Sequence, residues 1–246
     1  MLKKIISICF ISILIFTSCS SPREFTKSGN VVVFLYHTLL PANEPPENTL
    51  IFTNAKKFEE DIQTLINLGY NPISLYDIYE NKADRNKKYF AITFDDGYLS
   101  NYEIAFPILQ KYGCYADIFI NTANEYMEHH FSFAQALEME KTGLVKIHSH
   151  FPDHVDTTKL SGGDFGAMLE ASFETLEKEI GKRKYRFFAY PYGFYDGLTV
   201  ANAHDCGVSL QFIQEYKDSV DNDMIIRTNV PFDKSIEKII ETAYFN

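Results

Sequence analysis

Between Phe90 and Tyr98 the chain reads FAITFDDGY, an apolar run that stops at two adjacent carboxylates, Asp95 and Asp96, and a glycine. The apolar and β-branched residues ahead of Asp95 read as a buried strand, and Gly97 permits the sharp turn that delivers polar groups to a surface. Two acids at a strand end are costly to desolvate, so such a pair persists where a cation neutralises one member or one member handles protons. A solvated acidic β-turn is the bland alternative for this triplet taken alone. Between Ile147 and Val155 the chain adds HSHFPDH, which brings His148, His150 and His154 close together in sequence. Neutral imidazoles with one carboxylate form a site for a divalent metal that keeps open positions for water and substrate. Downstream, FFAYPYG at Phe187 to Gly193 sets Pro191 where it fixes the backbone, leaving the Tyr192 N–H free to point into a rim instead of a sheet.

The elements that must position these groups alternate. Continuous apolar runs predict strands at 31–36, 89–94, 115–120, 144–148, 185–190, and near 208–213 and 224–228. Apolar stripes at helical spacing predict helices at 55–68, 100–112 with Pro107 as its awkward point, 164–180, 198–205, and a last one from Ser235. Strand and helix alternating at this pitch imply parallel strands with helices outside them, an α/β fold whose seven or so units favour a single-domain barrel over an open sheet. His37, Asp95, Asp96, His148 and Tyr192 all lie at or just after the ends of predicted strands. In a parallel barrel such positions converge on one rim, where chemistry is built.

The amino terminus speaks to location. Lys3 and Lys4 precede an apolar run from Ile5 to Phe16 and then Thr17, Ser18 and Cys19. This is the layout of a signal peptide over 1–18, too short for the ~20 residues of a spanning helix. Cys19 after two small residues resembles the lipobox of bacterial lipoproteins, which implies export and a lipid anchor on Cys19, with ordinary secretion as the alternative. A polar tether over 19–30 then leads to one domain over 31–246. The net charge of −10 argues against nucleic acid and against anionic lipid headgroups as partners, so any membrane association is by the anchor only. Cys114 and Cys206 remain for the fold, as a pair or as separate buried thiols.

TFDDGY, the histidine segment and YPYG, in this order, resemble the polysaccharide deacetylase family, the NodB-homology carbohydrate esterases (carbohydrate esterase family 4). Also similar are YHT at Tyr36, KYGCYADIFI at Lys111 and RTNVP at Arg227, and the YH start resembles the branch of poly-N-acetylglucosamine deacetylases. The resemblance implies a distorted (β/α)7-type barrel and metal-dependent removal of acetyl groups, N-acetyl of N-acetylglucosamine units first, from an envelope or extracellular polysaccharide. It makes Asp95 the catalytic base and Asp96, His148 and His154 the ligands of a divalent metal, zinc first, with cobalt, nickel or manganese as alternatives. His150 is the fallback ligand. Tyr192 supplies an oxyanion contact through its N–H, while Tyr98, Pro191 and Tyr192 line the substrate. Two departures stand out. Ala189 replaces the arginine that usually orients the base, so Asp95 is expected to lack that cation, and the usual late histidine acid is missing, which makes His37 the candidate general acid. The competing readings are a noncatalytic glycan-binding module and a glycosidase using Asp95 with another acid. His129, His130 and His204 lie outside the matched motifs and read as polar surface.

Overall fold

The computed structural model describes residues 30–124, 127–214 and 223–243. The expected signal segment, Cys19 and all but the last residue of the tether lie outside the described residues. Strand β1 (Val31–Tyr36) is buried along its whole length, as its run of β-branched and aromatic residues requires. Short strands β2 (Thr38–Leu40) and β3 (Phe52–Asn54) pair in a small sheet of their own. Helix α1 (Ala55–Asn67) starts where the Asn54 side chain accepts the Lys57 N–H, and it buries Phe58, Ile62 and Leu65. Strand β4 (Tyr70–Pro72) and helix α2 (Leu75–Tyr79) precede the long strand β5 (Lys88–Asp96).

The awkward Pro107 is resolved by two kinds of helix. A π turn over Asn101–Ala105 hands over to α3 (Phe106–Tyr112), so the proline stands in the first turn of the α segment, the part of a helix that tolerates it best. Then follow β6 (Ala116–Ile120), α4 (Phe133–Lys141), β7 (Val145–Ser149), α5 (Gly162–Ile180) and β8 (Phe187–Ala189). A 3₁₀ turn over Pro191–Gly193, α6 (Gly197–Asp205), β9 (Leu210–Ile213), β10 (Met224–Ile226), β11 (Thr228–Asn229) and α7 (Ile236–Ala243) complete the described chain. The short elements β2, β3, β4, α2 and α4 carry too little periodicity for the sequence to have announced them.

The strands pair in the order β10-β9-β8-β7-β6-β5-β1-β11, every neighbour parallel, with β4 on the lower edge of β5. The two ends of that order, β10 and β11, are consecutive in the chain and separated only by Arg227. The sheet thus comes round on itself through one bent strand, giving a nearly closed barrel of the (β/α)7 type in a single α/β domain. Alternate residues divide two cores. Val33, Ala91, Phe119, Phe187 and Phe212 fill the barrel, whereas Phe34, Ile92, Ile118, Ile147 and Phe188 face the helices.

Candidate metal centre

Strand β5 brings the paired acids to the rim. Neighbouring residues of a regular strand face opposite sides, so an inward Asp95, in register with Phe119, would leave Asp96 outside. A left-handed backbone at Asp96 (φ 71) breaks that alternation, and Gly97 (φ 77) continues the turn. Only glycine fits there: a Cβ would stand 2.9 Å from Ile120 Cγ2.

Asp95 is 1% exposed, and Arg227, equally buried, donates Nη1 to its Oδ1 at 2.5 Å and Nη2 to its Oδ2 at 2.7 Å. Burial pushes the Asp95 carboxyl up, but the guanidinium, with His150 and His37 nearby, outweighs it and holds the group at about 2. Asp95 therefore has an orienting cation, although not the arginine whose place Ala189 takes. Ala189 does leave that place empty of charge, and the cation arrives instead from the junction that closes the barrel.

Asp96 lies beside two imidazoles. Its Oδ1 is 3.5 Å from His154 Nε2 and 3.7 Å from His150 Nε2, and the three donor atoms lie within 4.8 Å of one another. His150 Nδ1 sits 2.8 Å from the carbonyl of Ala189, which can only accept, so Nδ1 carries the proton and Nε2 presents its lone pair to the cluster. Burial, ahead of its charged neighbours, pushes His150 down to about 4, and burial also lowers His154. Burial and then the Asp95 charge push the Asp96 carboxyl up to about 6. Asp96 Oδ1 is buried with no hydrogen-bond partner among the described residues, although the Tyr98 hydroxyl reaches the same carboxylate. An orphaned carboxylate oxygen facing two neutral imidazole nitrogens fits a divalent cation.

The structure brings Asp96, His150 and His154 together and leaves His148 out, which corrects the expectation of His148 as a ligand. Its ring points into the barrel one layer below the rim, against Phe119, Phe187 and Tyr76, and its Nε2 is 2.7 Å from Asp117 Oδ1. Asp117 Oδ2 in turn accepts the Leu75 N–H, so this pair is fully used by the interior.

His37, after β1, faces the same centre. Burial lowers it while Asp95 and Asp96 act to raise it, its Nδ1 is buried without a partner among the described residues, and Asn101 Nδ2 holds its carbonyl at 2.8 Å. On the β8 side Pro191 is buried and Tyr192 adopts a left-handed backbone (φ 59) that no tyrosine takes by preference. Its ring stands edge-on to His154 with centroids 4.2 Å apart. His130 is not idle surface. It stacks on Tyr98 at 5.2 Å, lies 3.3 Å from Asn124 Nδ2, and lines a narrow cleft with Asp96, Asn121 and Phe131. The two-residue bridge between Tyr98 and His130 that creates this contact has no signature in the sequence. His204 is half-buried beside Gln211 and takes no part in the centre.

The profile of the family described as Polysaccharide deacetylase matches residues 82–210. The chain is 28% identical over 189 residues to YxkH of Bacillus subtilis (strain 168), an overlap of 75% of this chain and 64% of that protein. It thus spans less than two thirds of that relative. It is 27% identical over 225 residues to the poly-beta-1,6-N-acetyl-D-glucosamine N-deacetylase of Staphylococcus aureus (strain N315), covering 80% of this chain and 77% of that one. Among solved structures, the Streptococcus pyogenes deacetylase PplD in complex with acetate has the same fold, with TM-score 0.76 over 87% of this chain and 97% of that chain at 23% identity. IcaB from Ammonifex degensii gives TM-score 0.71 at 25% identity, over 87% of this chain and 97% of that one.

Proposed function

Since the chain belongs to the polysaccharide deacetylase family, we propose that it is a metal-dependent hydrolase that removes N-acetyl groups from N-acetylglucosamine units of an envelope or extracellular polysaccharide. The observation that carries the reading is the pairing of two unlike carboxylates: Asp96 against two imidazole nitrogens, and Asp95 ionised and locked by Arg227. The name of the Staphylococcus aureus relative supports the choice of polymer.

Asp96, His150 and His154 would hold the cation. When bound, a divalent ion, zinc first, supplies Lewis acidity to the acetyl carbonyl and to the attacking water. Asp95 takes the proton of that water, and Arg227 keeps both its oxygens in place and ionised. The N–H of Tyr192 donates to the oxyanion as the carbonyl carbon becomes tetrahedral. His37, within the field of both aspartates, returns a proton to the departing amine. Tyr98, Pro191 and Tyr192 border the sugar. Export with a lipid anchor on Cys19 belongs to the same reading and would put the enzyme beside the polymer it acts on.

The deciding experiment incubates the purified chain, loaded with zinc, cobalt, nickel or manganese, with acetylated N-acetylglucosamine oligomers and measures acetate and chain length. Acetate release at unchanged length supports deacetylation. Shortened chains would point to glycosidic cleavage, and neither change would leave a glycan-binding module.

A further inference from the structure

Most aromatic rings among the described residues are buried, but Tyr192 and Phe194 are 52% and 43% exposed. Their centroids lie 5.6 Å apart with the planes tilted by 31°. Tyr192 is also 4.2 Å from the His154 ring, so His154, Tyr192 and Phe194 form a row of rings leading outward from the cluster. The row is held rigidly. Gly193 and Phe194 donate their N–H groups to the carbonyls of Tyr190 and Pro191, and the buried Thr157 hydroxyl donates to the Phe194 carbonyl at 3.2 Å. The left-handed Tyr192 backbone is strain that the fold sustains at the point where the row begins. Exposed apolar surface contiguous with a polar centre marks a ligand groove, and the negative face of an aromatic ring attracts the C–H edges of a pyranose.

We propose that Tyr192 and Phe194 are a stacking platform for the sugar unit next to the one whose acetyl group is removed, so that the glycan is recognised as a chain. This rests on the deacetylase reading above. The order of the rim supports it: Tyr98 and His130 belong to the β5 and β6 ends, Tyr192 and Phe194 follow β8, and the ligands His150 and His154 follow β7 between them. A polymer crossing the cluster toward the β8 side meets Phe194. The net charge of −10 selects a neutral N-acetylated polymer over an acidic one.

The test measures binding in the Asp95→Asn background, so that chemistry does not consume the ligand, by titrating N-acetylglucosamine oligomers of two and five units. The longer oligomer is expected to bind about tenfold more tightly. Phe194→Ala should reduce that advantage to about threefold or less, and Phe194→Trp should restore it, which a merely structural role would not allow. Equal advantage in Phe194→Ala, loss of advantage in Phe194→Trp, or no binding of either oligomer would overturn the platform. Acetate release by the unmodified protein is scored separately: release without any length preference sinks the platform alone, while a length preference without release supports the platform and sinks the deacetylase reading.

Discussion

Arg227 and Asp95, 132 residues apart in the chain, meet in a two-pronged ion pair inside the barrel, both side chains almost wholly removed from solvent. Arg227 is the residue between β10 and β11, so the cation that tunes the proposed base is also the link that closes the barrel. Arg227→Lys keeps the charge and loses the fork. The expected result is a loss of at least about tenfold in kcat, with the acid limb of the pH–rate profile displaced to higher pH because the carboxyl is no longer held at about 2. Arg227→Ala leaves a buried carboxylate unpaired and should cost about 3–5 kcal/mol in denaturant unfolding. The linkage has a definite sign. Asp95 titrates lower in the folded chain than the ~3.9 of an unfolded one, so its contribution to stability is present above about pH 4 and fades as pH falls toward 2.

The separation of ligands from base predicts different failures. Asp95→Asn should lower turnover by about a hundredfold or more while the protein keeps its metal. Asp96→Ala, His150→Ala and His154→Ala should each lose metal, read by elemental analysis after dialysis. His148→Ala should do the reverse: metal content is retained, while unfolding is easier because Asp117 loses its buried partner. Loss of metal in His148→Ala with intact His150→Ala would overturn the assignment made from the geometry.

His148 and His150 show where a sequence stops being informative. His148 lies in β7 and His150 directly after its end at the same parity, so alternation sends both side chains inward and cannot distinguish them. What separates them is height, and height depends on where β7 leaves the sheet and on Phe119, Phe187 and Asp117 closing around the lower ring. The barrel, its long strands and the convergence of strand ends were readable because continuous apolar runs have few other uses. The Arg227 contact was not, since it depends on the bend between β10 and β11. Nor was the role of His130, which rests on a single bridge to Tyr98.

Metal binding should depend on pH through Asp96. In the metal-free protein its carboxyl stands at about 6, raised by burial and then by the Asp95 charge, whereas His150 at about 4 is already neutral there. A cation entering below pH 6 must displace the proton on Asp96, and above about pH 7 this group releases none. Affinity for zinc is therefore expected to fall by up to about tenfold per pH unit below 6. Calorimetric titrations at pH 5 and pH 7.5, in buffers of differing ionisation enthalpy, would reveal the proton. Equal affinities at the two values would contradict the predicted competition.

Gly97 ties the fold to the chemistry most directly. Its positive φ and the 2.9 Å approach that a Cβ would make to Ile120 Cγ2 mean that Gly97→Ala must strain the backbone and push Ile120 aside at once. Ile120 stands opposite Asp96 in the β5–β6 register, so the displacement falls on the ligand and not on a remote loop. The expected outcome is about 1–3 kcal/mol of lost stability together with weakened metal binding, the two read separately by thermal unfolding and zinc titration. If Gly97→Ala were destabilised yet bound zinc as tightly as the parent, the turn would matter to folding alone, and the left-handed Asp96 would not be what brings the second carboxylate into the centre.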